Sequence, residues 1–246
     1  MRIGLVRYIN SRPLDYGFRK NPSVHTHNDT PANLYKLLKS GKLDAALISS
    51  VECLRNEDIF SFCKTAGVCA ASEVNSIFYL TRDTERLPDF FLSDQGSRTS
   101  VALLQILLYK KFGKIVPHQK SDPEKIPALI TETTGGLVIG DKAYQYHKEN
   151  QNDSLIHVDL GRWWNEEEGL PFVFALWAYP KNKIIPDSFF EESLEIGLQH
   201  IEEIIAEADD PSLKEYLTES LHYKLKEPEL KSLDRFKSLL QELDLL

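Results

Sequence analysis

Hydroxyl-bearing residues are concentrated in a segment that follows one predicted strand and begins a predicted helix. Residues 96–100 contain a glycine that lets the chain turn, three hydroxyls and one guanidinium, from Ser97, Arg98, Thr99 and Ser100. Unpaired N–H groups and the helix dipole converge at the first turn of a helix, and arginine can bind a carboxylate with two hydrogen bonds. The segment is therefore a candidate anion site, although serine and threonine at the start of a helix usually serve only as caps.

Polar residues also follow three other predicted strands. Ser49 comes directly after the apolar run at 44–48, Asn10 comes after the run at 3–6, and Gly140 and Asp141 come after the run at 137–139. Because the carboxyl ends of parallel strands form the binding crevice of open α/β sheets, these residues are candidates to contact a ligand. The alternatives are that Asn10 closes a turn and that Ser49 and Asp141 cap helices.

The motifs of the common cofactor-dependent and metal-dependent enzymes are missing from the sequence. There is no P-loop, no G-x-G-x-x-G and no G-x-S-x-G, which disfavours nucleoside triphosphatases, dinucleotide enzymes and serine hydrolases. His25 and His27 would face the same side of a strand, but no H-E-x-x-H or cysteine pair accompanies them. We therefore expect no metal site and no cofactor.

Short strands alternate with helices through the first two thirds of the chain. Strand-like segments lie at 3–6, 44–48, 90–93, 137–139, 156–158 and 171–177, and residues 24–27 add another strand if they are also extended. Capping, proline and glycine signals predict helices at 13–18, 31–40 and 97–112, and after Pro180 at 187–208, 213–221 and from 228 onward. This order predicts an α/β protein that ends in a set of helices.

The composition of the chain disfavours some classes of binding partner. The 246 residues carry 29 Lys and Arg against 37 Asp and Glu, a formal net charge of −8 with no basic run, so we expect no nucleic-acid partner. The most apolar run, residues 170–179, has about half the ~20 residues that a spanning helix needs, and we expect no membrane partner. Three cysteines without a C-x-x-C motif and the lack of an export signal predict a cytoplasmic protein.

Five segments in order resemble one known family. They are residues 8–14 (YINSRPL), 44–54 (DAALISSVECL), 97–104 (SRTSVALL), 138–143 (VIGDKA) and 159–178 (DLGRWWNEEEGLPFVFALWA). Together they resemble the chorismate dehydratases of the futalosine route to menaquinone, over residues 2 to about 180. The last segment is more similar to this family than to the dihydroxynaphthoate synthase of the same pathway.

The resemblance implies a two-lobed fold of the type II periplasmic-binding-protein class, with a ligand cleft between the lobes. We expect one lobe from residues 1–85 and 179–246, and the other from residues 86–178. The crossings would lie at Leu87-Pro88 and Tyr179-Pro180, because proline stiffens a connection.

The resemblance also implies a reaction, the loss of water from chorismate to give 3-enolpyruvyl-benzoate, and a set of site residues. Asn10 would contact the reacting centre as the catalytic residue, and a substrate carboxylate or a water would be the base, since an amide is a poor base. The substrate-binding residues would be Ser49, Ser76, Ser97, Arg98, Thr99, Ser100, Gly140 and Asp141. Arg98 would either bind substrate or tie the lobes or the helix start together.

The sequence departs from the family pattern in two places. The loop at residues 71–76 is two residues shorter and lacks the usual Gly-Pro pair, and Glu168 stands where a threonine is common. Two alternatives to a chorismate dehydratase stay open. One is a non-enzymatic small-anion binding protein on the same fold, and the other is a related futalosine-pathway enzyme with a different substrate.

Overall fold

The computed structural model describes residues 1–94, 96–151 and 154–246, and its strands form two sheets. The strands are β1 (Arg2–Val6), β2 (His25–Asp29), β3 (Ala45–Ser49), β4 (Phe60–Ala70), β5 (Ile77–Thr81), β6 (Phe90–Ser93), β7 (His118–Lys120), β8 (Thr134–Ile139), β9 (Ile156–Asp159), β10 (Phe172–Pro180) and β11 (His222–Lys224). The helices are α1 (Arg12–Lys20), α2 (Pro31–Lys39), α3 (Ser50–Arg55), α4 (Thr99–Phe112), α5 (Gly140–Glu149), α6 (Leu160–Glu168), α7 (Asp187–Gln199), α8 (Ile201–Ala208), α9 (Leu213–Glu215) and α10 (Glu227–Glu242). A 3₁₀ turn covers Ile9–Ser11, and a π turn covers Tyr216–Ser220.

Each lobe is built on one of the two sheets, so the predicted two-lobed α/β fold is confirmed. The first sheet has the strand order β11-β4-β10-β3-β1-β2, with β1 parallel to β2 and β3, and β10 antiparallel to β3 and β4. The second has the order β7-β6-β8-β5-β9, with β6 parallel to β7 and β8, and β5 antiparallel to β8 and β9. The parallel strands direct their carboxyl ends, and the loops that follow them, toward a shared cleft.

The chain passes between the two sheets at other places than the prolines predict. It leaves the first sheet after β4, through residues 71–76, and returns through residues 169–171 before β10. Strand β5 therefore belongs to the second sheet and β10 to the first, unlike the predicted division. Pro180 is the last residue of β10 and pairs with Phe60, a position where a strand tolerates the missing N–H.

Strand β5 shows how the second sheet is covered on both faces. Ile77 and Tyr79 pack into the main core, which also contains the strands of the first sheet and helix α4. Phe78 and Leu80 point to the opposite face and join a smaller cluster beneath α5. The alternation follows from the two-residue period of a strand, and it places one face of the second sheet against the first lobe.

The C-terminal helices hold the start of the chain in place. Helix α7 packs along α1, where Ser193 Oγ donates to the carbonyl of Leu14 (2.8 Å) and accepts from the N–H of Phe18 (3.2 Å). The predicted helix at 187–208 is divided at His200 into α7 and α8. Because α1 directly follows the 3₁₀ turn at 9–11, its contact with α7 fixes the position of that turn.

None of the helices in the described ranges combines the length and the apolar composition that crossing a membrane requires.

Candidate functional site

A cavity of about 80 Å³ lies between the two sheets, near the carboxyl ends of their parallel strands. Leu47 and Phe174 of the first sheet and Ile77 and Ile139 of the second form apolar parts of its wall. Seven of the nine predicted site residues also line it, namely Asn10, Ser49, Ser97, Arg98, Thr99, Ser100 and Gly140. The structure thus brings together residues that are up to 130 positions apart in the chain, such as Asn10 and Gly140.

Asn10 is carried by the turn at 9–11, which is bonded on both of its sides. Toward the first lobe, Ser11 Oγ donates to the carbonyls of Val6 (3.1 Å) and Tyr8 (2.9 Å). Toward the second lobe, the N–H of Ile9 donates to both carboxylate oxygens of Asp141, at 3.2 and 3.3 Å. These bonds place the Asn10 side chain in the cavity wall.

Ser49 and Ser50 are adjacent, yet their hydroxyls have different surroundings. Ser49 lines the cavity and is 8% exposed, and its hydroxyl has no hydrogen-bond partner among the described residues. The hydroxyl of Ser50 points away and donates to the carbonyl of Val173 (2.7 Å). A buried hydroxyl without a hydrogen-bond partner destabilises the ligand-free protein. The Ser49 hydroxyl can therefore donate a hydrogen bond to a ligand in the cavity.

The start of helix α4 supplies a second unpaired hydroxyl. Ser97 lines the cavity and is 7% exposed, and within the described part of the chain its hydroxyl also has no partner. Thr99 is used by the fold instead, because its Oγ1 donates to the carbonyl of Phe174 (3.2 Å) and accepts from the N–H of Val51 (3.2 Å). The dipole of the 14-residue helix α4 directs its positive end at the same place.

Arg98 lines the cavity, but its guanidinium is already paired. Its Nη1 lies 2.7 Å from Oε1 of Glu52, a residue of α3 that is almost completely buried. The guanidinium also lies over the ring of Tyr35, 5.4 Å from the centroid. Of the two roles considered for Arg98, the geometry favours a tie between the start of α4 and the first lobe.

Gly140 and Tyr8 meet at the wall that the second lobe contributes. Gly140 has φ +70°, in the left-handed region, and a Cβ there would come within 3.4 Å of the Tyr8 ring. Glycine therefore suits this position for both its backbone conformation and its size. Burial, with Asp94 and Asp141 nearby, raises the pKa of Tyr8 to about 12, so its hydroxyl keeps its proton at neutral pH.

Two predicted site residues, Ser76 and Asp141, stand behind the cavity wall. Ser76 is fully buried, and its Oγ accepts a hydrogen bond from the hydroxyl of Tyr216 (2.8 Å). Its carbonyl accepts from the N–H of Gly140 (2.8 Å). The carboxylate of Asp141 is occupied by Ile9, and burial raises its pKa although that hydrogen bond acts in the opposite direction.

The loop at residues 71–76 is held mainly by the carboxylate of Asp159, and the amide of Asn75 also donates to Ser220 Oγ (2.9 Å). Asp159 accepts from the N–H groups of Val74 (3.1 Å) and Asn75 (2.7 Å), and it also caps α6 by accepting from those of Gly161 (2.9 Å) and Arg162 (3.0 Å). Asn75 has φ 56°, a left-handed conformation that asparagine tolerates better than most residues. These contacts make residues 71–76 an ordered connection between the sheets.

Glu168, the other departure from the family pattern, joins three helices. Its carboxylate at the end of α6 pairs with Lys110 of α4 (2.5 Å) and Arg235 of α10 (2.7 Å). These ion pairs anchor the C-terminal end of α4, which is the end away from the cavity.

Two residues that contribute to the site are missing from the sequence-based prediction. Tyr8 lies within residues 8–14 but is not among the predicted site residues, and Tyr216 lies far along the chain in the π turn. Tyr216 is 1% exposed, and its hydroxyl is hydrogen-bonded to Ser76 behind the cavity wall (2.8 Å). No local signal in the helical C-terminal sequence could have found this contact.

The residue types at the cavity determine what it can hold. Across residues 1–94, 96–151 and 154–246, no group of three or more His, Cys, Asp or Glu side chains is placed to hold a metal ion. The described cavity wall contains no Asp, Glu, His or Lys. It offers hydroxyls, an amide and a helix start, which suit an anionic ligand that needs hydrogen-bond donors.

A family model described as menaquinone biosynthesis matches residues 1–242. Two curated relatives are both named chorismate dehydratase. The one from Thermus thermophilus is 28% identical, over 95% of this chain and 93% of its own, and the one from Campylobacter jejuni is 27% identical over the full length of both chains.

Solved structures with the same fold come from several kinds of protein. A protein from Archaeoglobus fulgidus has a TM-score of 0.77 at 15% identity, covering 100% of this chain and 98% of its own. A Candida albicans gene product described as having the generic periplasmic binding protein fold gives 0.67 at 14%, covering 100% and 90%. The alkanesulfonate-binding protein SsuA from Xanthomonas axonopodis gives 0.61 at 13%, covering 100% and 93%. These likenesses show the fold.

The adjacent serines give a matched test of the unpaired hydroxyl. Ser49→Ala should leave the free energy of unfolding unchanged or raise it, because no hydrogen bond is lost and a buried unpaired hydroxyl is removed. Ser50→Ala should cost about 1–3 kcal/mol, because the buried carbonyl of Val173 loses a donor. Urea denaturation of the ligand-free proteins measures both. An equal loss in the two variants would mean that the fold itself uses the Ser49 hydroxyl.

Proposed function

The chain belongs to the menaquinone biosynthesis family, and we propose that it is a chorismate dehydratase that releases water and 3-enolpyruvyl-benzoate. The name shared by the two curated relatives supports this substrate. The observation that carries the proposal is the pair of buried, unpaired hydroxyls, Ser49 and Ser97, in a cavity beside the start of α4. Chorismate is a dianion at neutral pH, and such donors suit its carboxylates.

The reaction makes modest demands on the protein. A ring C–H bond and the neighbouring C–OH bond break, the C–H electron pair forms the new double bond, and proton and hydroxide leave as water. The product ring is aromatic, so much of the driving force lies in the substrate. The protein has to hold the dianion, orient the hydroxyl and exclude bulk water. Breaking a carbon–oxygen bond by elimination makes the enzyme a lyase.

We assign each of these tasks to a different part of the cavity. Ser49 and Ser97 donate to the carboxylates, with the dipole of α4 adding a positive field. Asn10 contacts the reacting centre, and Ser100 and Gly140 complete the wall. Since that wall holds no carboxylate or imidazole among its described residues, the base is a carboxylate of the substrate or a water molecule.

The cavity is too small for the proposed substrate, so substrate entry requires a conformational change. Its volume of about 80 Å³ is well below the ~300 Å³ at the lower end for small-molecule sites. The lobes therefore have to separate to admit the substrate. Because the turn at 9–11 is bonded to Asp141 across the cleft, that contact is one that opening would strain or break.

We also propose that the protein acts in the cytoplasm. The three cysteines, Cys53, Cys63 and Cys69, are buried free thiols, as is usual in a reducing compartment. Burial raises the pKa of Cys63 to about 11, and the thiol is therefore protonated and unreactive at neutral pH.

Incubation of the purified, metal-free protein with chorismate tests the proposed activity. We expect 3-enolpyruvyl-benzoate to form well above the uncatalysed background, without added cofactor, as followed by chromatography and mass spectrometry. Chorismate that binds but stays intact would favour a binding protein on the same fold. Turnover of a related enolpyruvyl or futalosine-derived anion alone would favour another enzyme of the pathway.

Asn10→Ala tests the role of the amide. We expect turnover to fall about 100-fold, because the reacting groups lose their positioning, while product affinity changes little. Initial rates and calorimetric titration with the product measure the two effects. Asn182→Ala, at an exposed turn after β10, is the matched control and should behave as the wild type. Unchanged turnover in Asn10→Ala would remove Asn10 from the mechanism.

A further inference from the structure

We infer that Tyr8 is a substrate-binding residue, whose hydroxyl acts with that of Ser97 to hold one carboxylate of the substrate from opposite sides of the cleft. The inference deepens the proposed function and rests on it, because the ligand concerned is the chorismate dianion. Both residues line the cavity. Tyr8 follows β1 of the first sheet, whereas Ser97 follows β6 of the second and precedes α4.

The side chain of Tyr8 reaches across the cleft toward the start of α4. Its ring lies on Gly140, the first residue of α5, where a Cβ would come within 3.4 Å of the ring. Its hydroxyl lies beside Gly96, where a Cβ would be 3.6 Å from Oη. The phenol oxygen of the first lobe is thus next to the residue that precedes Ser97. Because Gly96 has no side chain, the space beside Oη stays open.

Both hydroxyls are available to a ligand. Ser97 is 7% exposed, and its Oγ has no hydrogen-bond partner in the described ranges. The side-chain hydrogen bonds between described residues do not engage the Tyr8 hydroxyl either, and only its backbone carbonyl is used, by Ser11. Since burial raises the pKa of Tyr8 to about 12, its phenol is a neutral donor at neutral pH.

Asp94 is close to this pair, and its charge favours the protonated phenol. Its Oδ1 accepts from the N–H of Gly96, and it does not line the cavity. Within the described part of the chain, no hydrogen bond joins Asp94 to Tyr8, so the phenol proton can be directed to a ligand. Asp94 thus helps to keep Tyr8 a donor.

The start of α4 makes the space between the two hydroxyls suitable for an anion. The dipole of this 14-residue helix directs its positive end there. Hydrogen bonds from a hydroxyl to a carboxylate are about twice as strong as those between neutral groups. A phenol, a serine hydroxyl and a helix start therefore form a subsite for one carboxylate.

The two carboxylates of the substrate would then meet different subsites. Ser49 ends β3, and its unpaired hydroxyl is a donor of the first lobe alone. The subsite at Tyr8 and Ser97 is divided between the lobes. A carboxylate that bonds to both hydroxyls favours the closed arrangement of the cleft, because opening would separate the two donors. Binding of the second carboxylate is thereby coupled to closure.

Tyr8→Phe removes the hydroxyl and keeps the ring on Gly140. We expect the Kd of 3-enolpyruvyl-benzoate and the KM of chorismate to rise about tenfold, and kcat to change less than about threefold, because a hydrogen bond to a charged group is lost. Tyr223→Phe is the matched control. Tyr223 is buried, lies outside the cavity wall and has an unpaired hydroxyl among the described residues, so its removal should leave all three constants unchanged.

A double-mutant cycle on product affinity tests whether Tyr8 and Ser97 share one carboxylate. If they do, Tyr8→Phe combined with Ser97→Ala should weaken binding by less than the product of the two single effects. Tyr8→Phe combined with Ser49→Ala should weaken it by the full product, because those donors would bind different carboxylates. Effects that multiply equally in both pairs would contradict the shared subsite.

Isophthalate, a stable aromatic diacid, decides the subsite whether or not chorismate is the substrate. Calorimetric titration should show about tenfold weaker binding to Tyr8→Phe than to the wild type, and unchanged binding to Tyr223→Phe. Equal binding to the wild type and Tyr8→Phe, or no binding to the wild type, would overturn the inference. No turnover of chorismate together with the tenfold difference would reject the proposed substrate and keep the subsite. Turnover with Kd and KM unaffected by Tyr8→Phe would reject the subsite and keep the proposed function.

Discussion

The hydrogen bond from the N–H of Ile9 to the carboxylate of Asp141 is the contact on which the rest of the site depends. It joins a turn of the first lobe to the helix start of the second, so it sets the spacing of the cleft walls. Asn10 reaches the cavity because its neighbour is held there. Burial raises the pKa of Asp141, because removal from water disfavours the charged carboxylate. The protein thus keeps a carboxylate at this junction at a cost in folding free energy.

The electrostatics of the cavity differ from those of the protein as a whole. The chain has a formal net charge of −8, yet the proposed substrate is a dianion. Under the proposed function, local donors would hold the dianion despite this charge, since Ser49, Ser97 and the start of α4 would act over a few ångströms where solvent is excluded. Arg98, the guanidinium among the described wall residues, is paired with Glu52, so the proposed binding of the dianion would rely on hydroxyls and dipoles.

Local patterns predicted much of the fold and part of the site. The strand at 90–93 and the helix between Thr30 and Gly41 follow from apolar runs, a cap and a glycine, which act within a few residues. Strand β4 was missed because FSFCKTAGVCA mixes polar and small residues and is irregularly paired with β10. The predicted crossings at Leu87-Pro88 and Tyr179-Pro180 are wrong, because a proline indicates a stiff connection but does not indicate that the connection joins two lobes.

Long-range contacts explain what local patterns could not give. Tyr216 bonds to Ser76, 140 residues earlier, and nothing in the sequence around either residue indicates that contact. Ser76 was placed from the resemblance alone, and the structure shows its hydroxyl behind the wall with Tyr216 as its partner. Thr99 was grouped with Ser97 as an anion ligand, but the fold already uses its hydroxyl at Phe174.

A crystal structure of the protein with 3-enolpyruvyl-benzoate tests the central claim most directly, because it shows which groups bind the two carboxylates. The account predicts the ligand in the cavity between the sheets, with carboxylate oxygens within about 3.2 Å of the Oγ atoms of Ser49 and Ser97. Asn10 should lie beside the ring. A ligand bound outside this cleft, or inside it with both serine hydroxyls unengaged, would contradict the account.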